Sequence, residues 1–120
     1  LISMKKVLFS LLFLSSFFVF AQHSEREMSQ SVAKINSISL LIDVRTPTEF
    51  KEGHLPNAVN IDWLSPDFNT SFDSIGKRKK IYVYCRSGKR SVKAASRLDS
   101  LGFKRVVNLK GGYKAYEKTQ

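Results

Sequence analysis

Four short apolar runs, Leu40–Val44, Ala58–Ile61, Ile81–Tyr84 and Val106–Leu109, constrain the fold of this chain more than any other feature. Each is too short for a helix, and together they hold enough β-branched residues to read as buried strands. The segments between them carry helix signals. Thr46-Pro47-Thr48-Glu49 sets a capping threonine three residues before a glutamate and places proline at the first helical position. Gly53 stops that single turn. Ser91–Leu101 puts Ala94, Leu98 and Leu101 on one face with Val92 and Ala95, and Gly102-Phe103 ends it. Asp62–Ile75 carries Trp63, Leu64, Phe68 and Phe72 at helical spacing, broken by Pro66. Gly111-Gly112 turns into a last helical piece through Tyr113 and Tyr116. Short strands alternating with helices predict an α/β fold, a parallel sheet covered on both faces.

The N-terminal segment has a different grammar. Lys5 and Lys6 precede the apolar run Val7–Phe20, and Val19 and Ala21 supply small residues just before Gln22. That is the three-part pattern of a secretory signal peptide. The run falls short of the roughly 20 residues of a bilayer span. Residues 1–21 are therefore expected to be a signal peptide starting at Met4, with an uncleaved anchor as the alternative. The expected product is an exported protein, periplasmic or secreted, without stable membrane insertion after cleavage. Residues 22–39 are polar, with Met28, Val32, Ile35 and Ile38 at spacings of four, three and three. They read as a docking helix or a frayed linker, ahead of a domain at 40–120.

At 120 residues the chain has room for one domain. A single cysteine excludes an internal disulfide, and with only His23 and His54 it excludes a cysteine-rich zinc module. Neither a metal nor an organic cofactor is expected. The formal charge of +10 is unevenly spread. Two of those charges are Lys5 and Lys6, four are Lys77–Lys80, and three are Arg86, Lys89 and Arg90, which leaves +1 for the rest. Lys77–Lys80 reads as a solvated strand entrance, because no aromatic residues interleave with it to stack bases. No nucleic-acid partner is expected.

The chemistry follows the clearest strand. Cys85 comes directly after Ile81–Tyr84, and Arg86-Ser87-Gly88-Lys89-Arg90 separates it from the helix opening at Ser91. Ligands of open parallel sheets bind beyond the carboxyl ends of the strands. A tight loop there, wrapped into a helix N-terminus, turns successive backbone N–H groups inward and makes an anion nest. Gly88 permits the curl. Amides, helix dipole and flanking cations all favour thiolate over thiol at Cys85. A nucleophile thus coincides with an anion site.

With these residues in view, the chain resembles the single-domain rhodaneses, a family of sulfurtransferases. The resemblance rests on Leu41-Ile42-Asp43-Val44-Arg45, on Glu49 to Ala58, on Tyr84 to Ser91 and on Asn108-Leu109-Lys110-Gly111-Gly112-Tyr113. It implies a three-layer sandwich with about five parallel strands, and a cysteine that carries sulfur as a persulfide. Tyrosine phosphatases have a similar loop but place arginine six positions after the cysteine, where this chain has Ser91. Its arginine falls one earlier, at Arg90, and the shorter nest points to sulfur rather than phosphate transfer. The resemblance further implies that Asp43 braces the loop, that Arg45 makes a structural ion pair and that His54 makes a structural hydrogen bond. Asn57 replaces the family's usual glycine, and asparagine tolerates a left-handed backbone. Tyr116 stands where tryptophan is usual.

The expected reaction is a double displacement. Cys85 thiolate attacks the outer sulfur of an anionic donor such as thiosulfate, while the loop amides of Arg86 to Arg90, with the Arg86 and Arg90 side chains, hold the charged end. Lys89 sets the surface potential. A thiol, cyanide or a protein acceptor then removes the sulfur from a monomeric enzyme. The alternative is a rhodanese-fold binding or persulfide-carrier module without multiple turnover.

Overall fold

The computed structural model describes residues 23–120. The signal-peptide reading of residues 1–21 lies outside them. Five parallel strands form one sheet: β1 (Ser24–Glu27), β2 (Leu40–Asp43), β3 (Val59–Asn60), β4 (Ile81–Tyr84) and β5 (Val106–Lys110), in the spatial order β1-β5-β4-β2-β3. The helices are α1 (Met28–Ser31), α2 (Pro47–Glu52), α3 (Lys89–Ser100) and α4 (Gly112–Glu117). Side chains of alternate parity along the strands feed two cores. Ile42, Val44, Ile81, Val83 and Val106 pack with Phe68, Phe72, Phe103 and the α3 residues Ala94, Ala95 and Leu98. On the opposite face Leu41, Tyr82, Tyr84, Val107 and Leu109 pack with Met28 and Leu55, under Tyr113 and Tyr116. This is the three-layer α/β sandwich.

Two segments depart from the expectation. Over residues 23–39 the chain holds more than a docking helix or a frayed linker: Ser24–Glu27 pairs in parallel with Val107–Lys110 and supplies the fifth strand, ahead of the short helix Met28–Ser31. Its sequence, Ser-Glu-Arg-Glu, has no apolar residue, and all four positions are exposed. Only backbone pairing to β5 makes it a strand. Residues 62–75 form successive turns and one 3-10 turn, Thr70–Phe72, in place of a helix. Short polar side chains capture the amides there: Leu64 N–H donates to Asp62 Oδ1 at 2.9 Å and Asp67 N–H to Ser65 Oγ at 3.1 Å. Such local bonds compete with a helical ladder, which Pro66 also denies a donor. Phe68 and Phe72 still reach the core.

The punctuation marks behave as read. Thr46 Oγ1 accepts from Glu49 N–H at 3.3 Å while Glu49 Oε1 accepts from Thr46 N–H at 3.3 Å, a complete capping box. Asn57 takes a left-handed backbone with φ 66°.

Candidate active site

The carboxyl ends of β2, β4 and β5 meet around Cys85. Its side chain is 1% exposed at the start of the loop that joins β4 to α3. Gly88, with φ 119°, reverses the chain there and becomes the N-cap of α3. The reversal brings Gly88 N–H to 3.0 Å from Cys85 Sγ. One turn on, buried Ser91 receives the Cys85 S–H at 3.4 Å, and its hydroxyl donates to the Gly88 carbonyl at 3.2 Å. Burial pushes the thiol up. Hydrogen bonds donated to the thiolate, by the Ser91 hydroxyl once it turns to Sγ and by the Ser91, Gly88 and Ser87 amides, more than offset that, so the Cys85 pKa falls below the ordinary thiol value.

The outer side of the loop is anchored by the β5–α4 turn. Tyr113 N–H donates to the Cys85 carbonyl at 2.8 Å and Lys114 N–H to the Arg86 carbonyl at 3.1 Å. These bonds draw the loop's carbonyls away from the nest and leave its amides facing Sγ. The approach is so close that a Cβ on Gly112 would collide with the Cys85 carbonyl oxygen and the Arg86 backbone.

Arg90 does not stand free in the nest. Its two terminal nitrogens donate to Glu49 Oε1 at 2.7 Å and Oε2 at 2.9 Å. The bidentate pair, together with the Thr46 cap, pulls the Glu49 carboxyl down to about 2. Glu49 thus caps the start of α2 and holds α3 at once, a second role that its place in the capping box concealed. Arg86 and Lys89 are exposed and make no ion pair among the described residues. Asp43 is fully buried and bonded to Arg45, whose backbone N–H donates at 2.9 Å and whose Nη2 donates at 2.6 Å. Among the described residues Asp43 makes no direct hydrogen bond to the loop. Arg45 also donates to the Gly53 carbonyl at 2.6 Å and lies 4.4 Å from the Tyr113 ring centroid. The pair ties β2 to the α2 exit and to α4. His54 donates through Nδ1 to the Phe50 carbonyl at 2.8 Å and stacks on the Phe50 ring.

The Rhodanese-like domain family matches this chain over residues 24–119. The chain belongs to the rhodanese-like family. The match begins at the first residue of β1, in keeping with the extra strand. Among curated proteins, this chain is 36% identical over 112 residues to thiosulfate sulfurtransferase 16, chloroplastic, of Arabidopsis thaliana, covering 82% of this chain and 93% of that one. It is 36% identical over 91 residues to a sulfurtransferase of Allochromatium vinosum, covering 76% of this chain and 82% of that one. A rhodanese-related protein of Thermoplasma volcanium superposes with a TM-score of 0.69 at 25% identity, covering 80% of this chain and 92% of that one. These likenesses support sulfur transfer as the general activity of this chain.

Proposed function

We propose that Cys85 accepts sulfane sulfur from an anionic donor such as thiosulfate and hands it to a thiol, cyanide or protein acceptor. One observation carries the reading: the Gly88 amide lies 3.0 Å from Sγ, in a loop whose hydrogen bonds lower the thiol pKa. Cys85 thiolate attacks the outer sulfur of thiosulfate, the S–S bond of the donor breaks, and sulfite leaves with the electron pair. Arg86 and Lys89 meet the donor's charged end. Arg90, held by Glu49, fixes the first turn of α3 and adds charge at the edge of the nest. The persulfide anion then occupies the amide nest that had favoured the thiolate. The Lys5–Ala21 pattern supports an exported enzyme, with fractionation of cells expressing the full chain as its check.

Intact-mass analysis tests the central step. Protein treated with thiosulfate gains the mass of one sulfur atom, and Cys85→Ser does not. Wild-type protein that starts reduced and stays unmodified would end this reading.

A further inference from the structure

Asn108 sits on β5 on the face that meets α3, level with Val83 on β4 and Glu25 on β1. Its side chain is 1% exposed. The amide nitrogen donates to Glu25 Oε2 at 3.0 Å, and a carboxylate only accepts, so the orientation of the amide is fixed. Asn108 Oδ1 is then left as the one buried side-chain N or O atom without a partner among the described residues. An acceptor stranded in that way costs about 1–3 kcal/mol, which a donor from outside the chain recovers.

That amide lines a cleft of about 530 Å³ between α3 and the β5–β1 edge. One wall carries Asn108, Glu25 and Lys110; the Lys110 ammonium is paired with Glu27 Oε1 at 3.6 Å, and the Glu25 carboxylate is steadied from its other oxygen by His23 Nε2 at 3.1 Å. The α3 wall carries Lys89 and Lys93, neither in an ion pair among the described residues, with half-exposed Val92 between them. With the Lys110 charge offset by Glu27, the Asn108 acceptor and the Glu25 carboxylate face the Lys89 and Lys93 ammonium groups across a partly apolar floor. A ligand that satisfies both walls has an ammonium at one end and a carboxylate at the other. Gly88 belongs to this cleft and to the nest alike, since it lines the first and its N–H reaches Cys85 Sγ in the second.

We propose that this cleft binds the sulfur acceptor as a small amino-acid thiol, its ammonium on Asn108 Oδ1 and Glu25 and its carboxylate on Lys89 and Lys93. The assignment rests on the sulfur-transfer reading of Cys85. The acceptor's thiolate attacks the outer sulfur of the Cys85 persulfide, the Cys85 S–S bond breaks, and its electron pair returns to Sγ. The acceptor leaves as a persulfide, its former thiol proton carried on the transferred sulfur, and no oxidant or reductant is consumed.

The experiment has two arms on the full chain. In the first, protein loaded with thiosulfate, with loading verified by mass, is discharged with cysteine, with cysteamine, which lacks the carboxylate, or with 2-mercaptoethanol, which lacks both groups. The ratio of kcat/KM for cysteine to that for 2-mercaptoethanol falls about fivefold in Lys93→Ala and in Glu25→Gln, the scale of one exposed charge contact. In the second arm L-serine, which cannot accept sulfur, is titrated while the Val92 and Lys93 amides are followed by NMR. Saturable shifts, weakened about fivefold in the same two variants, are expected. An unchanged ratio in both variants, or no saturable serine shift, shows that Asn108 Oδ1 meets only water and overturns the assignment. Failure to load is a separate result: it removes the sulfur-transfer reading itself, and the acceptor role falls with it.

Discussion

Glu49 and Arg90 stand 41 residues apart and meet through two hydrogen bonds of 2.7 and 2.9 Å. The pair couples the cap of α2 to the first turn of α3. It therefore makes the position of the cysteine loop depend on a helix that carries no reacting group.

The folded-state pKa of Glu49, about 2, lies below its ordinary 4.5. A depressed carboxyl contributes stability that is present above the ordinary value and lost as pH falls through the folded one. Glu49→Gln should therefore lower stability by about 2 kcal/mol at neutral pH, and the deficit should shrink as pH falls from 4.5 toward 2. Urea denaturation across that window checks the slope. A constant deficit would mean that the carboxylate is not the source.

Ser91→Ala removes the hydroxyl beside Sγ and leaves α3 its backbone. The Cys85 pKa should rise, and persulfide loading near neutral pH should slow about fivefold, the loss of one hydrogen bond worth about 1 kcal/mol. The pH profile of loading is the informative measurement. Its inflection moves upward in the variant, which a merely loosened fold would not produce.

Gly112 leaves no room for a side chain against Cys85 and Arg86, and its φ of +60° disfavours one as well. Gly112→Ala should cost about 2 kcal/mol or more. It should also reduce loading in the fraction that remains folded. Thermal unfolding followed by loading at a temperature where the variant is native separates the two effects.

Charge location matters more than charge count. Lys77 caps the Phe103 ring at 4.1 Å beside the amino ends of the strands, whereas Arg90 adjoins the nest. Arg90→Ala should lower kcat/KM for thiosulfate about tenfold, because it breaks the charged hydrogen bonds to Glu49 that fix the first turn of α3 and removes the cation at the edge of the nest. Lys77→Ala should stay within about twofold, as an exposed cation worth under 1 kcal/mol. Equal effects would argue against the nest as the donor site.

Arg45→Met leaves Asp43 as an unpaired carboxylate in the interior. Breaking a buried pair in this way costs about 3–5 kcal/mol. Asp43→Asn with Arg45→Met should recover much of the loss, and a double-mutant cycle in urea measures how much.

Local chemistry in the sequence determined a large part of this protein. Four apolar runs became β2 to β5, the Thr46–Glu49 box opened α2, Gly88 made the curl beside Cys85, and Asn57 took its left-handed turn. Each is a preference of one residue for its near neighbours, and such preferences survive in a one-dimensional reading. Tertiary structure alone decided the rest. Ser-Glu-Arg-Glu became β1 because β5 offered an open ladder, since nothing in its side chains favours a strand over a loop. Phe68 and Phe72 reached the core from turns because bonds to short polar side chains outcompeted the helix their spacing implied. Glu49 found Arg90, and Asn108 found Glu25, only once the sheet had brought distant segments within 3 Å. Charge pairing and buried polar satisfaction depend on distances in space, and those exist only after the chain has folded.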